Sequence, residues 1–521
     1  MEEEPKNNGY MEPLRRAIEA QGLTVTTQQG KGRCLTTTVD FSPGQVIISQ
    51  EPYASAPSNG TINSFCDGCF ASGGLKFCSK CRVARYCGSG CQKLEWKLHQ
   101  LECEALVGLG KDRREMLTTS IRLMVRLLLR RRLQYEKVIP TTATDNYELV
   151  EALEAHMSEL NEEQLVLYAQ MANLVRLVLP STEIDVKNIT MNFSRLACNA
   201  HSICDSELRP LGTGIYPVIS IINHSCLPNS VLTFEGKLAM VRAVEPIPKG
   251  TEVLISYIET AGSSMTRKET LRKQYFFTCT CPGCMKVDAY ADLRETAILE
   301  GYRCKDNKCD GFLFFNSDDR VFICQQCGLF RDEQEIKQIE SEVEQLSSFA
   351  AKLLSSGDNI KASTLYKTIE KHQMNLCHSL SVKLLRTRES LLKIMIDLND
   401  WREALTCCRL ILPVYKRVYR KIHPMLGLQY YTCGKLEWFL EDAENALKSL
   451  TRAVDILRIT HGSNTSFMRD LFNLLDEARA EATHRLSDCM ACWINRPVHS
   501  VVPGLKTSLP PTAADWKIKT R

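Results

Sequence analysis

Cys66-Asp67-Gly68-Cys69, Cys78-Ser79-Lys80-Cys81, Cys87-Gly88-Ser89-Gly90-Cys91 and His99-Gln100-Leu101-Glu102-Cys103 follow one another within 38 residues. Two residues separate the members of the first two pairs, and three separate those of the last two. A two-residue gap lets both thiolates reach one ion from a tight turn. A three-residue gap puts two ligands on one face of a helical turn. Eight soft ligands make two tetrahedral sites, and the helical stretch Gln92–Glu102 carries His99 to close the second. Spacing alone leaves sequential and interleaved pairing open. With every position filled by protein, both sites are closed and structural. Lys80, Arg82 and Arg85 give this block a basic face, which reads as solvated.

The chain around it has 521 residues, 65 Lys and Arg against 61 Asp and Glu, and a formal net charge of +4. With 44% hydrophobic and 24% charged residues it is globular, and its length suits about three or four domains. A charge so near neutral gives no basis for binding nucleic acid through bulk electrostatics. Met1-Glu2-Glu3-Glu4-Pro5 lacks the apolar run of a secretory signal, and no stretch reads as a membrane span. The thiols are therefore expected to stay reduced, and clustered cysteines point to metal rather than disulfides.

Two further groups extend the pattern. Cys279, Cys281 and Cys284 supply three ligands within six residues, and Cys226 is the candidate for the fourth. Joining positions 53 residues apart would staple a later loop onto a strand region. Cys304, Cys309, Cys324 and Cys327 read as two knuckles joined by a hairpin from Phe312 to Phe322, a zinc-ribbon pattern. Fifteen of the 24 cysteines then have metal roles. Cys489 and Cys492 form a separate pair with little to support a metal or redox role.

Residues 23–50 alternate polar and β-branched side chains around turns at Gly30-Lys31-Gly32-Arg33 and Pro43-Gly44, and read as short strands. From about 112 to 200, apolar residues such as Ile121, Met124, Leu127 and Leu128 recur at helical spacing. Val218-Ile219-Ser220-Ile221-Ile222 and Glu252–Tyr257 return to β-type runs. From about 333 to 485 the chain is helical again. Asp358, Asp400 and Asp442 recur every 42 residues, each followed four positions later by Ala362, Ala404 or Ala446. A small residue at a fixed helical position suits a stack of helical hairpins, a lengthened relative of tetratricopeptide repeats. The last 35 residues, with Pro497, Pro503, Pro510 and Pro511, read as a loose tail.

In order and spacing the eight-ligand block resembles a MYND zinc finger. That resemblance implies interleaved sites, Cys66, Cys69, Cys87 and Cys91 on one zinc and Cys78, Cys81, His99 and Cys103 on the other. Asn223-His224-Ser225-Cys226 with Pro228-Asn229, Ile255-Ser256-Tyr257 thirty residues on, and Tyr275-Phe276-Phe277 before the knuckle together resemble a SET domain. Taken with the finger, residues 15–480 resemble the SET-and-MYND protein-lysine methyltransferases, and Ile459-Thr460-His461-Gly462 is similar to that family too.

The resemblance implies an S-adenosylmethionine-dependent protein-lysine N-methyltransferase acting on histone and/or non-histone proteins. It places Lys31, Gly32, Arg33, His156 and Asn199 at the cofactor, and has Asn223 and His224 bind it through the threaded strand of the SET pseudoknot. Tyr257 becomes the catalytic tyrosine, also against the cofactor. Tyr275 and Phe277 wall the cofactor and the lysine channel, and Cys226, Cys279, Cys281 and Cys284 hold a post-SET zinc. Ala200 and His201 depart from the Ser and apolar residue that often follow the family's Asn, which bears on lysine specificity.

The expected architecture is α+β and multidomain. It comprises a SET N-terminal part (15–63), MYND finger (64–104), helical SET insert (105–213), SET core (214–262) and post-SET zinc region (263–298). A zinc-ribbon-like insert (299–332), a TPR-like helical array (333–485) and a flexible tail (486–521) follow. The expected partners are a lysine-containing protein or peptide substrate, and partner peptides on the finger and helical domain. Membrane association and direct nucleic-acid binding are not expected. A monomer in the nucleus and/or cytoplasm completes the expectation. Methyl transfer to an amine needs the neutral base, and a lysine of pKa about 10.4 is neutral in roughly one molecule per thousand at pH 7. A narrow apolar channel and the sulfonium charge both favour the neutral form, so no carboxylate base is required and alignment supplies much of the rate. The competing readings are a non-catalytic scaffold with a degenerate SET domain and a zinc-dependent nucleic-acid regulator. The near-neutral charge and the lack of interleaved basic and aromatic residues argue against the regulator.

Overall fold

The computed structural model describes residues 9–58, 65–110, 114, 117–180, 185–285 and 289–494. Helix α1 (Met11–Glu19) and strands β1 (Leu23–Gln28), β2 (Gly32–Thr37), β3 (Val46–Gln50) and β4 (Ala54–Pro57) come first. The finger follows as the short pair β5 (Lys76–Phe77) and β6 (Arg85–Tyr86) with helix α2 (Ser89–Val107). Helices α3 (Thr119–Tyr135), α4 (Tyr147–Glu151), α5 (Glu162–Val178) and α6 (Val186–Asn199) are next. The chain then returns to β7 (Ala200–Cys204), β8 (Pro210–Ile215), β9 (Asn223–His224), β10 (Ser230–Glu235), β11 (Leu238–Ala243) and β12 (Leu254–Ile255).

Strands β3 and β4 complete their sheets only with late ones. β3 lies beside β11 in the order β10-β11-β3, and β4 beside β8 in the order β4-β8-β7. Finger and helices are thus insertions into one strand assembly, whose core includes Leu23, Leu35, Ile48, Ile221, Val241 and Ile255. β1 and β2 pair from Leu23↔Thr37 to Gln28↔Gly32. Gly30 and Gly32 hold φ of +77° and +75°, conformations glycine enters without a Cβ clash, and Lys31 stands between them.

The run Val218–Ile222, expected as a strand, is instead a 3-10 turn at Ile219–Ile221. Ile219, Ile221 and Ile222 are all buried, so the run has no exposed alternation to favour a half-buried strand. Its backbone groups find other partners. Gln50 Oε1 accepts from the N–H groups of Val218 and Ile219 at 3.1 and 3.2 Å, and Ser220 N donates to Tyr216 O at 2.8 Å.

Helices α7 (Ser264–Tyr275) and α8 (Ala289–Glu300) lead to an antiparallel sheet of β13 (Leu313–Asn316), β14 (Val321–Cys324) and β15 (Phe330–Asp332). Its third strand goes beyond the two-stranded hairpin expected there. The helical domain contains α9 (Glu333–Ser355), α10 (Asn359–Leu376), α11 (Val382–Asp397), α12 (Trp401–Val418), α13 (Pro424–Phe439), α14 (Ala443–Thr460) and α15 (Ser466–Ile494). The 42-residue repeat has a physical basis here. Asp358, Asp400 and Asp442 cap α10, α12 and α14, accepting from the N–H groups of Lys361, Glu403 and Asn445 at 3.2, 3.2 and 3.3 Å. Ala362, Ala404 and Ala446 are fully buried where the hairpins stack. Helix α15 runs to Ile494, so helical structure extends past residue 485, where the tail was expected to begin. The side chains of Cys489 and Cys492, and residues 495–521, lie outside the described residues. Among the described residues, no helix is long and apolar enough to cross a membrane.

Candidate active site

Strand β9 is only two residues long, yet it lies parallel to β12 in the register Asn223↔Leu254 and His224↔Ile255. Asn229 fixes β12 from outside: its Oδ1 accepts from Leu254 N at 2.9 Å and its Nδ2 donates to Glu252 O at 2.9 Å. This pins Asn223 and His224 between the β1–β2 hairpin and Tyr257. Asn223 Nδ2 donates to Arg33 O at 3.2 Å and to Glu252 Oε1 at 2.9 Å. Glu252 Oε2 in turn accepts from Lys31 Nζ at 2.7 Å. Arg33 donates onward to Ala152 O at 2.5 Å, and Asn199 Nδ2 to Glu154 O at 2.9 Å. The hairpin, the 152–156 loop, the end of α6 and the threaded strand are thereby joined into one hydrogen-bonded surface.

His224 links that surface to an aromatic group. Its Nδ1 accepts from Tyr257 N at 3.0 Å, which leaves the proton on Nε2, 3.2 Å from Cys226 Sγ. The Tyr257 hydroxyl donates to Ile222 O at 2.6 Å, and the Tyr275 hydroxyl to Tyr257 O at 3.2 Å. Ring centroids of Tyr257 lie 5.0 Å from Tyr275 and 6.4 Å from Phe277, and His224 is 6.0 Å from Phe277. Burial pushes the Tyr257 hydroxyl well above its ordinary range and that of Tyr275 up to about 12, so both remain protonated donors.

Beside Tyr257 a cavity of ≈ 260 Å³ opens between edge strands β7 and β10 on one side and the segment joining α12 to α13 on the other. Ser256 and Ile258, which flank Tyr257, line it together with His201, Cys226, Arg420 and His423. Burial lowers both imidazoles to about 4, so they are neutral at neutral pH.

Four sets of donors converge elsewhere. They are Cys66, Cys69, Cys87 and Cys91; Cys78, Cys81, His99 and Cys103; Cys226, Cys279, Cys281 and Cys284; and Cys304, Cys309, Cys324 and Cys327, each within 4.8 Å. The finger's ligands are therefore interleaved. Zinc with Zn–S of about 2.3 Å puts tetrahedral sulfurs about 3.8 Å apart. Cys69–Cys87 at 3.6 Å, Cys78–Cys103 at 3.8 Å, Cys226–Cys284 at 3.5 Å and Cys309–Cys324 at 3.7 Å all fit, and none approaches a disulfide bond length.

His99 shows how deeply the finger is built in. Its Nε2 faces Cys81, and its Nδ1 lies 3.2 Å from Glu102 Oε2, the carboxylate partner that orients a zinc-bound imidazole. Glu102 is fully buried. Burial would raise its pKa, but Arg122 and Arg126 outweigh that and hold the carboxyl well below its usual range. Arg122 from α3 also meets Asp67 of the finger at 2.7 Å, so one buried ion cluster ties finger to insert.

Comparison with known proteins decides the family. Residues 32–258 match the SET domain family. The chain is 54% identical over 475 residues, 91% of its length, to 99% of histone-lysine N-methyltransferase ASHR1 from Arabidopsis thaliana. The chain belongs to the SET-and-MYND lysine methyltransferases. Histone-lysine N-methyltransferase SMYD3 of Mus musculus is 27% identical over 89% of this chain and 99% of its own length. N-lysine methyltransferase SMYD2 of Mus musculus is 28% identical over 88% of this chain and 98% of its own length.

Among the residues singled out from sequence, Lys31, Arg33, Asn223, His224, Tyr257, Tyr275 and Phe277 come together directly. Gly32 shapes the hairpin, and Asn199 joins through Glu154 and through its carbonyl, which accepts from Ser220 Oγ at 2.9 Å. His156 is at the margin. It adopts φ of +47°, pairs with Glu159 at 2.9 Å and faces the Phe276 ring at 5.3 Å, itself left-handed at the end of α7. Glu252 was missed, and no spacing rule pointed to it. An antiparallel bridge from Glu252 to Thr36 of β2, together with β9 lying beside β12, brings its carboxylate onto both Asn223 and Lys31.

Proposed function

We propose that this member of the family methylates lysine side chains of protein substrates, histone and/or non-histone, in the nucleus and/or cytoplasm. The observation that carries the reading is the continuous chain Lys31–Glu252–Asn223–Arg33, joined through the threaded strand to His224 and Tyr257 beside a cavity. The names of the relatives, histone-lysine and N-lysine methyltransferases, support the substrate class. When bound, S-adenosylmethionine supplies an electrophilic methyl group on a sulfonium.

Lys31, Gly32 and Arg33 would hold that cofactor at its charged end, with Asn199, Asn223 and His224 along its length and His156 at its edge. Tyr257, Tyr275 and Phe277 present aromatic surface suited to a cation. The bond from the Tyr257 hydroxyl to the Ile222 carbonyl fixes the Tyr257 ring against Tyr275 and Phe277, and that ring would align the incoming amine. No aspartate or glutamate lines the cavity wall, a condition that favours the neutral amine. Zinc at Cys226, Cys279, Cys281 and Cys284 would fix the sulfur that His224 contacts, and with it the ring that supports Tyr257. Finger and helical domain would offer surfaces for partner peptides, on a monomeric chain.

The experiment is isothermal titration of zinc-replete protein with S-adenosylmethionine. The native chain should bind and Asn223→Ala should bind far more weakly. No binding by the native chain would favour the scaffold reading.

A further inference from the structure

We propose that the free edge of β3 is a docking site for an extended peptide, which adds to it as a further strand and alternates apolar with basic residues. The proposal goes beyond the methylation reading, because the groove it uses shares no residue with the site around Tyr257. β3 stands at the end of the order β10-β11-β3, so only one of its edges has a partner strand. Among the described residues, the main chain of Ile48, Ser49, Gln50 and Glu51 makes no hydrogen bond beyond the ladder to β11. Free edges are usually blunted by lysine or proline, yet Val46–Gln50 contains no charged residue and no proline.

A groove of ≈ 490 Å³ opens along that edge, within the size range of ligand sites. The consecutive residues Ile48 to Pro52 all line it, so the main chain between their side chains borders it as well. At about 3.3 Å per residue this wall is about 16 Å long, the span of a short strand. Leu94 and Glu95 of the finger helix α2, Arg130 of α3 and the Thr144-Asp145 loop complete the groove.

The lining selects the occupant. Leu94 is 85% exposed at the groove, and Ile48, Pro52 and Val218 add apolar surface, so an apolar side chain entering there gains by burial. The groove's cations are already paired, Lys237 with Glu95 at 2.8 Å and Arg130 with Asp145 at 2.5 Å. Glu51 is exposed and has no ion partner among the described residues, so the one uncommitted charge is negative. Exposure alternates along this wall, with Ser49 and Glu51 outward and Ile48, Gln50 and Pro52 inward. A strand added beside them alternates in the same way, placing lysine or arginine by Glu51 and apolar residues on the inward side.

The test titrates a fluorescent seven-residue peptide of alternating valine and lysine into the full zinc-replete chain, read by anisotropy. Saturable binding is expected. N-methylation of one alternate set of main-chain nitrogens should weaken it about tenfold or more, and of the other set far less, because only one set faces β3. Glu51→Lys should weaken the valine-lysine peptide about tenfold and favour its valine-glutamate counterpart, with S-adenosylmethionine affinity unchanged as the check of folding. Hydrogen exchange at 48–51 should slow when the peptide is added. Absence of saturable binding, equal binding of both N-methylated peptides, or slowed exchange only outside 48–51 overturns the proposal. A native chain that self-associates through 48–51 and leaves the peptide unbound assigns the edge to a second copy and overturns it equally.

Discussion

Glu252→Ala would remove the carboxylate that holds both Asn223 and Lys31. Its side chain is 9% exposed, whereas that of Lys31 is 45% exposed. The Lys31 pair is therefore well screened and contributes about 0–1 kcal/mol. The bond from Asn223 Nδ2 to a charged acceptor at 2.9 Å in a sheltered position contributes about 1.5–3 kcal/mol. Without it, Asn223 keeps only the 3.2 Å bond to Arg33 O and is no longer fixed towards the cofactor. The loss in cofactor binding should then be roughly 10–100-fold in Kd. Glu252→Gln keeps an oxygen acceptor for Asn223 and gives up only the charge opposite Lys31, so its Kd should stay within about threefold of the native value. Isothermal titration with S-adenosylmethionine, alongside a denaturation curve to establish folding, reads both variants. The reasoning is refuted if a folded Glu252→Ala protein binds as the native chain does, or if Glu252→Gln falls as far as Glu252→Ala.

Arg122→Met leaves Asp67 and Glu102 buried beside one fewer cation and should cost about 3–5 kcal/mol in a denaturant titration. Combining it with Glu102→Gln should recover part of that loss, and strict additivity would contradict the ion cluster. Elemental analysis should find four zinc ions per chain. Cys327→Ser should reduce zinc to three with methylation retained, and Cys226→Ser should reduce it to three with methylation lost. His201, His423 and His461 are each lowered by burial to about 4, against about 6.5 in the unfolded chain. Between those values the unfolded chain binds more protons, so stability is full above about pH 6.5 and falls as pH drops towards 4. All three lie where the helical domain meets the SET core. Hydrogen exchange on acidification should therefore rise at 419–424 and 459–462 before it rises in the β1–β2 hairpin.

What could be read from sequence was what leaves a local signature. Cysteine spacing carries ligand geometry within a few residues, and the recurrence of Asp358, Asp400 and Asp442 carries helix starts, because an N-cap acts on the turn beside it. Order and spacing also carried the resemblance that placed Asn223, His224 and Tyr257. Spacing could not decide between interleaved and sequential finger sites, since that depends on the fold of the whole finger. Val218–Ile222 misled because a continuous apolar run specifies burial without specifying backbone form, and Gln50, far upstream, supplied the partners of a turn. Glu252 was invisible for a related reason: its role arises from a bridge to Thr36, far upstream, and from β9 and β12 lying parallel.

The most direct test of the central claim is transfer of a labelled methyl group to a protein lysine by the native chain and by Tyr257→Phe, each first shown to bind S-adenosylmethionine. The account predicts label on lysine with the native chain and background with Tyr257→Phe, at equal cofactor affinity. Equal incorporation by the variant, or none by a cofactor-bound native chain across a proteome of acceptors, would contradict it.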